Sequence, residues 1–83
     1  MQPKVLAKKC LDVIAWRVAH GLPTVDATIL VTTPQGWPRP KGFPPGHIVQ
    51  WKPDGTRVRY LPAVRVLEWL VKNGFISVKD TEA

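Results

Sequence analysis

The stretch from Pro34 to Gly46 reads Pro-Gln-Gly-Trp-Pro-Arg-Pro-Lys-Gly-Phe-Pro-Pro-Gly. Proline lacks the amide that a strand ladder or helix needs, and it pushes the preceding residue out of helical backbone. No regular element can therefore run through the middle of the chain. Helices and strands must form on either side of residues 34–46 and pack across them. A loop this long is uncommon in a small domain and often functional. It lacks PxxP spacing, since no two of its prolines stand three apart. Two outcomes are open. Trp37 and Phe43 fold back as lids on the core, or the loop presents its side chains to a partner. No internal repeat is read in the chain.

The flanks carry clear signals. Residues 3–20 predict a helix: Pro3 suits the first turn, and Val5, Leu6, Cys10, Val13, Ile14 and Val18 recur at helical spacing. His20 and Gly21 form the stop. Residues 28–32, Thr-Ile-Leu-Val-Thr, predict a strand, central because the run does not alternate cleanly. Residues 47–60 predict a hairpin with Pro53, Asp54 and Gly55 in its turn. Residues 62–73 predict a second helix, started by Pro62 and ended by Asn73-Gly74, with Phe75 folding back over its last turn. Its buried stripe is Val64, Leu67, Leu70 and Val71, widened by Val66 and Trp69. Glu68 is placed to pair with Arg65 or Lys72. Ile76 to Val78 suits a short edge strand, and residues 80–83 should fray.

This order defines an α+β fold of helix, strand, long Pro/Gly loop, β-hairpin and helix. The expectation is one domain over residues 1–83, with a small antiparallel sheet and both helices on one face. At 83 residues the chain buries only about 60–65% of its unfolded surface. Helical stripes are therefore expected to serve its own core.

Catalytic chemistry finds little to work with. Asp54 belongs to a turn and Glu68 to helix pairing. Asp12 and Asp26 are too scattered for an acid/base pair. Ser77 lacks a nucleophile-elbow context. Cys10 sits among apolar helix neighbours, which reads as a buried structural thiol. The single cysteine excludes a disulfide framework, and with two histidines it does not make a metal site. The reading is a non-enzyme with no cofactor and no metal. No apolar run approaches the roughly 18 residues of a membrane span, and no signal peptide is read, so a cytoplasmic protein without a membrane role is expected.

Charge points to a partner. Twelve Lys and Arg stand against six Asp and Glu, a net charge of +6. Such a field concentrates anions, nucleic acid among them. With Lys52 opposite Thr56, the hairpin register sets Gln50 against Val58 and Ile48 against Tyr60 on one face, read as core. It sets Trp51 against Arg57 and Val49 against Arg59 on the other. Trp51, Arg57 and Arg59 then share an outward face, fed by Trp37, Arg39 and Lys41 from the loop. Guanidinium and ammonium groups neutralise phosphates, and an indole stacks on an unpaired base. Nucleic acid is thus the expected partner, with Trp37 and Trp51 stacking and Arg39, Lys41, Arg57 and Arg59 on phosphate. The alternative is a protein interface, since Trp, Tyr and Arg dominate those too. It would be a regulator or inhibitor of a host protein, or a homodimer.

The run Gly36-Trp37-Pro38-Arg39-Pro40-Lys41-Gly42-Phe43-Pro44-Pro45-Gly46, the hairpin, and Val66-Leu67-Glu68-Trp69-Leu70 together resemble a group of small phage and prophage proteins of proteobacteria. Those proteins share a Pro-x-Gly-Phe-Pro-Arg-Gly core followed by a Val-Leu-x-Trp-Leu helix. The resemblance covers about residues 34–74, with Pro45 where the pattern has Arg. The group has no assigned activity and transfers no functional residue. What it implies is a phage-type protein acting in a bacterial cytoplasm.

Overall fold

The computed structural model describes residues 2–81. In chain order the elements are α1 (Pro3–Ala19), β1 (Thr28–Thr33), β2 (His47–Trp51), β3 (Arg57–Pro62), α2 (Ala63–Lys72) and a 3-10 turn at Val78–Thr81. The strands form one antiparallel sheet in the order β1-β3-β2. Both helices pack on one face of it, as the α+β reading expects. None of the described helices is long and apolar enough to cross a membrane.

Pro3 opens α1, and the Leu6 amide closes its first turn on the Gln2 carbonyl. Leu6, Ala7 and Cys10 are buried, and Leu11, Val13 and Ile14 pack partly against the core. Val5 and Val18, expected in the same stripe, are exposed. Val5 lies on the rim beside Val31 and Thr32, and Val18 sits in the last turn. The His20 amide closes α1 on Trp16 and Arg17, and Gly21 turns the chain at φ +67.

β1 is an edge strand, not the central one; β3 lies between the other two. Its burial alternates strictly, with Ile29, Val31 and Thr33 buried and Thr28, Leu30 and Thr32 exposed. Leu30 faces away from the helices, and that placement broke the alternation legible in the residue types. The free edge of β1 is partly covered: Lys9 Nζ donates to the Leu30 carbonyl at 3.2 Å.

The register sorts the sheet into rungs. The helix-side rungs are Ile29–Leu61, Val31–Arg59–Ile48 and Thr33–Arg57–Trp51. The outer rungs are Thr28–Pro62, Leu30–Tyr60–His47 and Thr32–Val58–Gln50. Two expectations are corrected here. The face read as core, carrying Tyr60, Gln50 and Val58, is the open one, and the arginine face is the helix side. A register shift between Ile48 and Gln50 also leaves Val49 as a bulge, so Ile48 rather than Val49 stands opposite Arg59, and His47 opposite Tyr60. All of β2 is exposed, so no burial difference between its faces selects one register over the other.

The hairpin turn forms as its chemistry dictates. Lys52 N donates to Thr56 O at 2.9 Å, and Gly55, at φ +90, donates to Lys52 O at 3.0 Å. Asp54 Oδ1 accepts from both the hydroxyl and the amide of Thr56, at 2.7 and 2.9 Å. These bonds, the hydroxyl first, hold the Asp54 carboxyl below its ordinary value. A depressed carboxyl stabilises the fold above its unfolded pKa, and the gain disappears as pH falls through the folded value. The Tm advantage of the parent over Asp54→Asn is therefore expected at neutral pH and closes below about pH 4. Thermal melts over a pH series check this; an advantage that persists unchanged into strong acid contradicts it.

The Pro/Gly segment is a pair of tandem turns. Trp37 N bonds Pro34 O at 3.2 Å, and Phe43 N bonds Pro40 O at 3.1 Å. Gly36 and Gly42 take the third position of each at φ +72 and +79, which side-chain-bearing residues rarely adopt. The underlying pattern is Pro-x-Gly-aromatic-Pro, repeated after six residues at 34–38 and 40–44, a short repeat that the reading of the sequence missed. Each turn delivers one aromatic inward: Phe43 is buried and Trp37 half-buried. Of the two outcomes left open, the lid is the one observed.

Leu61 and Pro62 still belong to β3, where Leu61 is fully buried opposite Ile29. α2 therefore begins at Ala63, one residue later than expected, with the Ala63 amide bonded to Ala27 O. Its core positions are Ala63, Val66, Leu67 and Leu70, while Val64 and Val71 are only half-buried. Phe75 folds back as expected: its amide bonds Leu70 O, and its ring stacks on Trp69 at 5.4 Å. Ile76 to Val78 form no strand. Of the tail expected to fray, residues 82 and 83 lie outside the described residues, and Val78–Thr81 is the 3-10 turn. Among the described residues the one ion pair is Lys8–Asp12 at 3.1 Å, so the pairing expected at Glu68 is not formed.

Candidate nucleic-acid interface

The helix-side face of the sheet changes character along its length. At one end Ile29 and Leu61 lie in the core. At the other end Trp51 is 62% exposed. Arg59 stands between them and Arg57 shares the last rung with Trp51; the two arginines are two residues apart on the central strand, so their side chains point the same way. Both arginines are half-buried, as long side chains are when the stem lies along the sheet.

Each guanidinium rests on an indole. Arg57 lies over the Trp51 ring at 4.1 Å. Arg59 lies over the Trp37 ring at 5.4 Å. Such contacts contribute about 0.5–1 kcal/mol at exposed sites. Trp37 is held from behind by Phe43, edge to face at 5.7 Å, and Phe43 in turn by Trp69 at 5.0 Å. The tandem turns thus set the position of Arg59 through Trp37. Gly46 adds a steric requirement: a Cβ there would fall 2.9 Å from Leu61 Cδ2 and 3.0 Å from Arg59 Cβ.

Thr33 joins the two arginines. It is fully buried. Its hydroxyl accepts from Arg59 Nε at 3.0 Å and donates to the Arg57 carbonyl at 3.4 Å. Thr33→Val keeps the shape and removes both bonds. Leaving the Arg59 donor unpaired in a half-buried site costs about 1–3 kcal/mol. The urea midpoint is expected to fall accordingly, and Trp37 emission to change as Arg59 leaves its ring. An unchanged midpoint and spectrum would contradict this linkage. Extending the Ile29, Val31 alternation one step beyond the predicted strand would have placed Thr33 on this face.

Two of the six residues singled out from sequence stand apart. Arg39 Nη1 donates to the Phe43 carbonyl at 2.8 Å, so this side chain ties the second turn together. Lys41 lines a cavity of about 460 Å³ against α2, with Arg65 and Lys72 on the opposite wall. Its carbonyl accepts from Trp69 Nε1 at 3.0 Å. The group brought together is therefore Trp51, Arg57, Arg59 and Trp37. No carboxylate is paired with either guanidinium among the described residues. Arg57 Nη1 donates to Gly55 O at 3.3 Å, and a guanidinium carries five donors, so each arginine keeps N–H groups for a ligand.

The Cys10 thiol is buried at the α1 contact, and burial pushes its pKa up to about 12. It stays protonated at neutral pH. Among the described residues no group of three or more His, Cys, Asp or Glu is placed to hold a metal ion. No family model, curated protein or solved structure matches this chain.

Proposed function

We propose that this chain is a non-enzymatic binding protein for single-stranded nucleic acid, held along the stripe Trp51–Arg57–Arg59. The observation that carries the reading is the exposed Trp51 indole with the Arg57 guanidinium over its ring and Arg59 one rung further along the same face, neither arginine paired with a carboxylate among the described residues. A base stacks on the indole, a contact that every base can make. Arg57 and Arg59 donate their spare N–H groups to successive phosphates. The chain's net charge of +6 raises the encounter rate. A single strand suits the site better than a duplex. The stripe lies on the side of the sheet that carries the helices and the Pro/Gly lid, and an unpaired base reaches the indole without a groove having to admit that layer.

Titration of a short labelled single strand, by anisotropy at two salt concentrations, tests the reading. Binding is expected at low salt, weaker for the matching duplex. It should weaken with salt at about 0.7 log units per log unit for each phosphate neutralised. A chain that ignores the oligonucleotide at low salt is not a nucleic-acid-binding protein. Binding indifferent to salt would move the reading to a protein target.

A further inference from the structure

Lys41, Arg65 and Lys72 surround a cleft between the second Pro/Gly turn and α2. Its volume is about 460 Å³, the size of a small-molecule site. Arg65, Glu68 and Lys72 follow helical spacing, so α2 turns them to one side, with Arg65 and Lys72 about 10 Å apart along the axis. Lys41 faces them from the loop. The cleft shares no residue with the Trp51–Arg57–Arg59 stripe.

Two contacts hold its walls together. Trp69 Nε1 donates to the Lys41 carbonyl at 3.0 Å, which pins the turn to the helix. Gly42, at φ +79, lies against the same indole, which would stand 3.7 Å from a Cβ there. The indole is itself held by Phe75, stacked on it at 5.4 Å. The spacing of the walls is therefore set by the fold, before any ligand arrives.

Charge selects the ligand. Glu68 stands between Arg65 and Lys72 on the helix, yet among the described residues it pairs with neither. Three cations and one carboxylate leave the cleft with two positive charges in excess. A phosphate monoester carries about −1.5 to −2 at neutral pH and offers three strong acceptor oxygens. Arg and Lys side chains are long enough to converge on it from the two walls. A phosphodiester within a strand carries a single charge and leaves half the excess unmatched. The Glu68 carboxylate accepts hydrogen bonds only, so it suits a ligand hydroxyl.

We propose that this cleft binds a small, hydroxyl-bearing phosphate monoester of the sugar-phosphate class. Lys41, Arg65 and Lys72 donate to the phosphoryl oxygens, and Glu68 accepts from a hydroxyl.

Ribose 5-phosphate, titrated while the indole N–H signals are followed by proton–nitrogen correlation, tests the proposal. The Trp69 signal is expected to shift and saturate, with a dissociation constant of about 1 mM or below, while Trp16 and Trp51 hold still. Dimethyl phosphate, with the single charge of a strand phosphate, should bind about tenfold more weakly. Arg65→Ala and Lys72→Ala should each weaken ribose 5-phosphate about tenfold, the loss of one charge-assisted bond. Both positions are exposed, so the core is untouched. Lys4→Ala removes the same charge from an exposed position on α1, outside the cleft, and should bind like the parent. So should Trp51→Ala, which separates failure here from failure of the nucleic-acid reading. A Trp69 signal that does not move, an Arg65→Ala variant that binds like the parent, or a loss in Lys4→Ala as large as in Lys72→Ala overturns the proposal.

Discussion

Trp51→Ala is expected to weaken single-strand binding roughly 5- to 150-fold, the equivalent of about 1–3 kcal/mol for one lost stacking platform. The fold should survive, since the ring is mostly in solvent and touches the rest of the molecule chiefly through Arg57. The double variant Arg57→Ala/Arg59→Ala acts on a different observable. Removing two phosphate contacts lowers the salt slope by about 1.4, at about 0.7 per contact on a single strand. The two changes separate stacking from charge: the first alters affinity at constant slope, the second alters the slope. Arg59→Lys is the control, keeping the charge while losing the Nε bond to Thr33 and the flat contact with Trp37. It should keep the parental slope. A Trp51→Ala variant that binds like the parent would remove the stacking platform from the account.

Phe43→Ala carries the largest expected loss of stability, about 3–5 kcal/mol for a buried phenylalanine. Its ring is 2% exposed and sits edge to face between Trp37 and Trp69. A chain of 83 residues has about 4–12 kcal/mol in total, so at least about a quarter of the stability is at stake. The effect reaches the site as well. The loop has no ladder of its own; its two turn bonds, the Arg39 contact, the Trp69 indole bond to the Lys41 carbonyl and this ring hold it in place. With the ring gone, Trp37 loses its backing and Arg59 its indole. The urea midpoint should fall steeply and Trp37 emission shift to the red. A loss under about 1 kcal/mol would mean that the loop is not anchored by this ring.

Local chemistry was the legible part of the sequence. Pro53-Asp54-Gly55 names its turn, Pro3 starts α1, and Gly74 with Phe75 closes α2, because each signal is complete within a few residues. The sharing of one face by Trp51, Arg57 and Arg59 was also legible, since it follows from two-residue alternation beside a known turn. Which face it would be was not. Arginine reads as outward in sequence, yet Arg59 lies on the core side because its stem packs on Gly46 and its head finds Trp37 and Thr33. The bulge at Val49 had no local signal, since every residue of β2 is exposed and either register satisfies it. The central place of β3 was hidden by Leu30, an apolar residue on the open face. Arg39 and Lys41 looked like loop cations for a ligand; the folded loop uses Arg39 as an internal tie and carries Lys41 toward α2.

The most direct test is the indole N–H region of a proton–nitrogen correlation spectrum, recorded while a single-stranded oligonucleotide is added. The chain has four tryptophans, each in a different setting. Trp51 should move most and Trp37 less, through Arg59. Trp16, stacked on His20 at the far end of α1, and Trp69, whose N–H is bonded to Lys41 O, should hold still. A spectrum in which Trp16 or Trp69 shifts while Trp51 stays in place would contradict the assignment of the ligand to the arginine–indole stripe.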